Sequence, residues 1–353
     1  MKMVLKVNEV RSMKMMASVM VVMAGMGAWA QAPGTPVMSP ATAEAAQVAA
    51  PQAPAGNAAA SADPFPPINL KYFTADSPTT AVVNAFLKEE WGYDDERLWK
   101  VAAILKTQAP GVSKVIVLTV DKNHPDKIAR NDFFITPDGK HAIVGGVVAD
   151  FGEKPFANRR ALLLQGATGA AKGAAGNDLL MVLFVDFLNS RSKDAEDVAN
   201  NLVKDIPQAR LVVEYLPADG SPYAMHAAAE GVCVRKAKGD AAFFTYGQEV
   251  YSRQKGLTAE TLQPALDAAV VAAGADAKSV AACAATAETK AVVEDSIALA
   301  AKATLDGAPA MVVNGRVLPT VDISYDLLKR IVAYQAQLDG IAVKVQPTLT
   351  NLK

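Results

Sequence analysis

Sulfur is nearly missing from this chain: 353 residues hold two cysteines, Cys233 and Cys283, about fifty positions apart. A C-x-x-C redox pair and a cysteine-rich zinc cluster are thereby excluded, because both need thiolates at close spacing. Histidine is almost as scarce, with His124, His141 and His226 alone. They form no zinc-type cluster, so no metal or cofactor is expected. The glycine-rich stretch 166–176 lacks the lysine spacing of a phosphate-binding loop. Asp94, Asp95 and Glu96 lack the ligand spacing of a calcium loop. Aromatics are 6% of the residues, the formal net charge is −1, and no dense Lys/Arg patch is interleaved with aromatics. Nucleic acid is therefore not an expected partner.

What the chain has is alanine and valine. Hydrophobic residues make up 51%, a composition that suits Ala-rich helices around a Val-rich sheet. The length allows two domains. Lys2, Lys6, Arg11 and Lys14 precede an uncharged run over 15–26, followed by Ala28-Trp29-Ala30. That order is expected of a secretory signal over 1–30, cleaved after Ala30, with Met13 as an alternative start. The apolar run falls short of the ~20 residues of a comfortable membrane span, although an uncleaved anchor is the competing reading. A periplasmic or secreted protein without a membrane span in its mature form is the expectation. Residues 31–63 are rich in Ala and Pro and almost uncharged, so they are expected to be a flexible linker.

A small α+β domain is expected over 64–152. A helix over 77–91 takes Ser77 as its cap and Pro78 in its first turn. Strands follow over 98–106 and 112–120, then 131–136 and 141–148 flank a hairpin turn at Pro137-Asp138-Gly139. A connecting helix and linker fill 153–177. The unbroken apolar run 179–185 is the pattern of a strand buried on both faces. With a helix over 190–205 and a strand over 210–215 it makes a parallel βαβ unit. A helical stretch over 223–304 is broken near Gly239, Gly256 and Gly274. A hairpin then turns at Asn314-Gly315, and a last helix runs over 324–338.

This order, with the wording Val182-Leu-Phe-Val-Asp-Phe-Leu188, Ala241-Ala-Phe-Phe-Thr-Tyr246, Ala281-Ala-Cys283 and Gly307-Ala-Pro-Ala-Met-Val-Val-Asn-Gly315, resembles the DsbA family of exported thiol-disulfide oxidoreductases. The resemblance covers about 178–340. It implies an α/β chain with a thioredoxin-like fold over 178–345 and a helical insert at about 217–305, preceded by the small α+β domain. It also implies a cis peptide bond before Pro309, with Ala308 and Pro309 offering backbone groups to an extended peptide. The departure is at the active site. Where that family places C-x-x-C, this chain reads Asn189-Ser190-Arg191-Ser192. An Asn amide is no nucleophile, and Ser192 has no histidine nearby in sequence, with His226 the only one in this part of the chain. Asn189 and Ser190 are both good helix caps, whereas Arg191 opposes the helix dipole.

Two cysteines in an exported chain point to one disulfide, and the resemblance implies a structural Cys233–Cys283 bridge within the insert. Two buried free thiols or a distant redox pair are the alternatives. The expected function is a non-redox, chaperone-like module for an unfolded or extended polypeptide client. The alternatives are a disulfide oxidoreductase or isomerase using Cys233 and Cys283, and a structural subunit within an envelope complex. The segment Thr136-Pro-Asp-Gly-Lys-His-Ala-Ile-Val144 resembles the N-terminal domains of exported disulfide isomerases, which implies a homodimer through this domain.

Overall fold

The computed structural model describes residues 63–218, 221–319 and 323–347. The expected signal 1–30, and the linker 31–63 apart from its last residue, lie outside the described residues. The described chain begins with a short 3-10 turn, Leu70–Tyr72, and α1 (Thr80–Trp91). Five strands follow: β1 (Arg97–Lys106), β2 (Ser113–Asp121), β3 (His124–Ile135), β4 (His141–Val144) and β5 (Val147–Asp150). They form one antiparallel sheet in sequential order. Alternate residues of β1 to β3, including Val101, Val115, Val117, Phe133 and Ile135, turn inward. Val83, Phe86, Leu87 and Trp91 of α1 close over them, so the two periodicities meet in one core.

Four details differ from the sequence reading. Thr79, not Ser77, caps α1: its hydroxyl accepts the Val82 N–H at 3.3 Å. The Ser77 carbonyl is taken by the Ser113 hydroxyl, and the Ser77–Pro78 bond, which lies ahead of the helix, is cis. β3 starts at His124, not residue 131, because its first half pairs with β2 while staying exposed and charged. The strand expected over 141–148 is two strands, β4 and β5, folded at Gly145-Gly146. The sheet therefore has five strands where four were expected.

After α2 (Ala157–Gly166) comes the fourth correction, β6 (Ala170–Gly173), in a stretch read as linker. It runs antiparallel to β8 (Ala209–Tyr215). Gly169 precedes it because a Cβ there would stand 1.9 Å from the Val213 carbonyl oxygen; the glycine marks a close backbone approach, not slack chain.

β7 (Leu179–Val185) is buried at every residue. It pairs in parallel with β8 through the crossover helix α3 (Ser190–Asp205). The insert comprises α4 (Pro222–Lys238), α5 (Asp240–Arg253), α6 (Ala259–Ala272), α7 (Ala277–Ala284) and α8 (Ala287–Lys302). The hairpin β9 (Ala310–Val313) and β10 (Arg316–Leu318), then α9 (Tyr325–Leu338), complete the described elements. The second sheet has the order β10-β9-β7-β8-β6, with β7 antiparallel to β9. A parallel β7-α3-β8 unit, a helical insert and an antiparallel hairpin closed by a helix is the thioredoxin-like topology, so the chain is α/β as expected.

Met181, Leu183 and Val185 of β7 face a core built with α3, the insert and α9. Leu180, Val182 and Phe184 face another with α2 and α8. No helix among the described residues is long and apolar enough to cross a membrane. The two sheets are joined through Arg316, which is buried. Its Nε donates to Gln335 at 2.9 Å and its two Nη atoms donate to the carbonyls of Glu89 and Glu90 at the end of α1. Its guanidinium lies 4.2 Å from the Phe156 ring centroid. The Tyr334 hydroxyl donates to the Lys88 carbonyl at 2.7 Å. A Cβ at residue 92 would meet that hydroxyl at 2.1 Å, which requires Gly92.

Candidate functional site

The turn from β7 into α3 is tied from every side. Asp186 is buried, and its carboxylate accepts the Leu188 N–H at 2.8 Å and the Ala218 N–H at 3.0 Å. Its carbonyl accepts the Asn189 N–H at 3.0 Å. Asn189 is the N-cap, with its Oδ1 accepting the Arg191 N–H at 3.0 Å. Ser190 is the first helical residue, not a cap. The other end of the Asn189 amide reaches across the chain: Nδ2 donates to the Ala308 carbonyl at 2.9 Å. The Ala308–Pro309 bond is cis, and Ala310 pairs with Phe184 to start β9. The helix start and the cis-proline loop are thus brought side by side and joined by one side chain.

Ser192 is fully buried, and its Oγ accepts the Asp186 N–H at 3.1 Å. It is a structural peg without access to a substrate. His226 is held elsewhere, with Nε2 at 2.7 Å from Gln263 Oε1 and 3.2 Å from Glu230 Oε1. That pairing, led by the Glu230 hydrogen bond, raises the imidazole pKa. A Ser192–His226 pair is not formed. Along α3, burial raises the Glu196 carboxyl pKa, with Gln248 donating to it at 3.1 Å.

The sulfurs lie in the insert. Cys233 of α4 and Cys283 of α7 form a disulfide with a Cα–Cα distance of 6.0 Å. Cys233 is 2% exposed, and both Sγ atoms sit beside the Thr289 hydroxyl at 3.6 and 3.5 Å. The pair joins two helices of the insert and supplies no thiol to the β7–α3 turn. Among the described residues no group of three or more His, Cys, Asp or Glu is placed to hold a metal ion.

Sequence reasoning missed two contacts here. Gln254 Nε2 donates to the Phe187 carbonyl at 2.6 Å, and Asn189 reaches Ala308 over 119 residues. Neither leaves a local signal. The Phe187 ring is a partial exception: an aromatic directly after a buried strand announces a packing centre, and it meets Tyr215, Phe243, Tyr246 and Tyr251.

No family model and no curated protein matches the chain. Among solved structures, it is similar to a thioredoxin-like oxidoreductase from Silicibacter pomeroyi, at 20% identity over 50% of this chain and 98% of that one, with a TM-score of 0.43. It is also similar to the catalytic domain of Proteus mirabilis ScsC, at 21% identity over 52% of this chain and 97% of that one, TM-score 0.43. Oxidised BdbD from Bacillus subtilis matches at 16% identity over 48% and 93%, TM-score 0.43.

Proposed function

We propose that the chain is an exported, DsbA-like thioredoxin-fold protein that captures extended polypeptide without thiol chemistry. One observation carries the reading: at the helix start where a dithiol would act there is an Asn cap, hydrogen-bonded to the carbonyl of Ala308 beside the cis Pro309. The docking loop is kept while the nucleophile is gone. A client strand pairs with the loop backbone in β fashion, and to use the Ala308 carbonyl it displaces the Asn189 amide. Export rests on the pattern of residues 2–30.

The test is twofold. The purified protein is assayed for oxidative refolding of a reduced client, for insulin reduction, and for suppression of aggregation of reduced, alkylated lysozyme. Suppression without turnover is expected, and Ala308→Glu weakens it about ten-fold or more by placing bulk and charge in the loop. Turnover abolished by Cys233→Ser, or capture unchanged in Ala308→Glu, overturns the reading.

We also propose a second copy of this chain as partner of the N-terminal sheet. What supports it is β3: β4 pairs with it only at Phe134 and Ile135, while residues 124–130 are exposed. An unpaired strand edge is a template for another strand. Light scattering at micromolar concentration is expected to give a dimer mass, and a monomer mass removes the proposal.

A further inference from the structure

Two of the three histidines sit in strands of the first sheet, and the third, His226, stands between two helices of the insert. It opens α4 four residues before Glu230. Gln263 and Asp267 repeat that spacing on α6, so each pair shares one helix face. The two faces meet. His226 Nε2 lies 2.7 Å from Gln263 Oε1 and 3.2 Å from Glu230 Oε1. Gln263 Nε2 in turn donates to Glu230 Oε1 at 2.9 Å and to Asp267 Oδ1 at 2.8 Å.

These contacts fix where the hydrogens lie. Both hydrogens of the Gln263 amide go to carboxylates, so its Oε1 can only accept and the imidazole Nε2 must carry a hydrogen. Glu230 is 1% exposed, and its Oε2 has no hydrogen-bond partner. Among the described residues, His226 is its one ion-pair partner. A carboxylate buried so far is costly without a counter-charge, whereas the His226 side chain is 37% exposed and can trade its proton with solvent. The charged groups acting on the ring are Glu230 from its own helix and Asp267 from α6. The Glu230 hydrogen bond, then that of Gln263 and the charge of Asp267, raise its pKa above the ordinary 6.5, against the opposing effect of burial.

Both helices belong to the frame that grips Phe187. Gly231, next to Glu230, backs onto that ring, where a Cβ would stand 3.0 Å away. Gln254, on the chain leading into α6, holds the Phe187 carbonyl. We propose that His226 is a pH-sensitive clasp that closes α6 onto α4. Charged, it balances Glu230 across the helix contact. Uncharged, it keeps its bond to Gln263 but leaves Glu230 buried without a counter-charge, and α6 loosens. The clasp is complete below the ordinary 6.5 and is lost as pH rises through the higher value of the folded ring. Neither Asn189 nor Ala308 takes part, so the clasp is independent of the client reading.

The experiment is amide hydrogen exchange of the purified protein at about pH 5.5 and about pH 9, read as protection factors, which remove the pH dependence of the exchange chemistry itself. A ring titration of His226 by NMR accompanies it. The ring midpoint is expected above 6.5, and α6 protection is expected to fall about ten-fold or more between the two pH values. Glu230→Gln keeps the shape and the acceptor for Gln263 but removes the buried charge, so α6 protection becomes level with pH. His226→Lys stays charged up to about pH 10 and retains the low-pH protection at the upper value. A ring midpoint at or below 6.5, equal α6 protection at both pH values in the unaltered chain, or an unchanged fall in Glu230→Gln each overturns the proposal.

Discussion

Asn189 does two separable things. Its Oδ1 caps α3, and its Nδ2 holds the Ala308 carbonyl. Ser at this position keeps a cap but is too short to reach Ala308, whereas Ala loses both. Asn189→Ser is therefore expected to cost about 1 kcal/mol and Asn189→Ala about 2 kcal/mol, read as shifts in the denaturant midpoint. Equal losses in the two variants would mean that the cap contributes nothing. On the proposed function, Asn189→Ser also captures client more tightly, because the Ala308 carbonyl is already free. The cap was legible in the sequence, since capping is a rule of a few adjacent residues. The bond to Ala308 was not, because it depends on β7 and β9 lying side by side. Ser192 shows the same limit from the other direction: a hydroxyl that invites catalytic readings in sequence turns out to be a buried acceptor for the Asp186 N–H.

Among the elements, those whose signal is periodic and local were readable. β7 is apolar without a break because two cores need its two faces. α9 sets Leu328, Ile331, Val332 and Ala336 toward one core, and Asn314 and Gly315 take positive φ at the β9–β10 turn. The elements that escaped lack such a signal. β6 is preceded by Gly169 and ends in Gly173, which read as breaks, although both glycines allow contact with the β8 backbone. The first half of β3 is exposed and carries no alternation, so only its pairing with β2 identifies it. The insert adds an element-scale prediction. Its disulfide ties α4 to α7 across 50 residues, and closing a loop of that length stabilises by about 4 kcal/mol in the chain-entropy model. The Cys233→Ser, Cys283→Ser double variant is expected to lose about that much in a urea melt, with the sheet signal intact. A loss below about 1 kcal/mol would show that the packing of α4 against α7 suffices alone.

At the scale of the whole molecule, the junction between the two sheets is charged and buried. Glu90 Oε2 lies 3.8 Å from Arg316 Nη1, at 11% and 2% side-chain exposure. Burial pushes the Glu90 carboxyl up to about 7, although Arg316 and Arg159 draw it down. Its value in the unfolded chain is near the ordinary 4.5, so between those two pH values the folded state holds a proton that the unfolded state releases. Stability from this group is therefore present at low pH and lost as pH rises from about 4.5 to about 7, by no more than about 3 kcal/mol. Glu90→Gln is expected to flatten that part of the stability-against-pH curve, measured by urea unfolding between those limits. An unchanged slope would place the titration elsewhere. The same junction has a consequence for how the chain is made. A helix ordinarily finds caps for its last carbonyls in the residues that follow it. In α1 those at Lys88, Glu89 and Glu90 also wait for Arg316 and Tyr334, 226 to 246 residues later. The first α-helix of the described chain to leave the ribosome is not finished until part of the last one has been made.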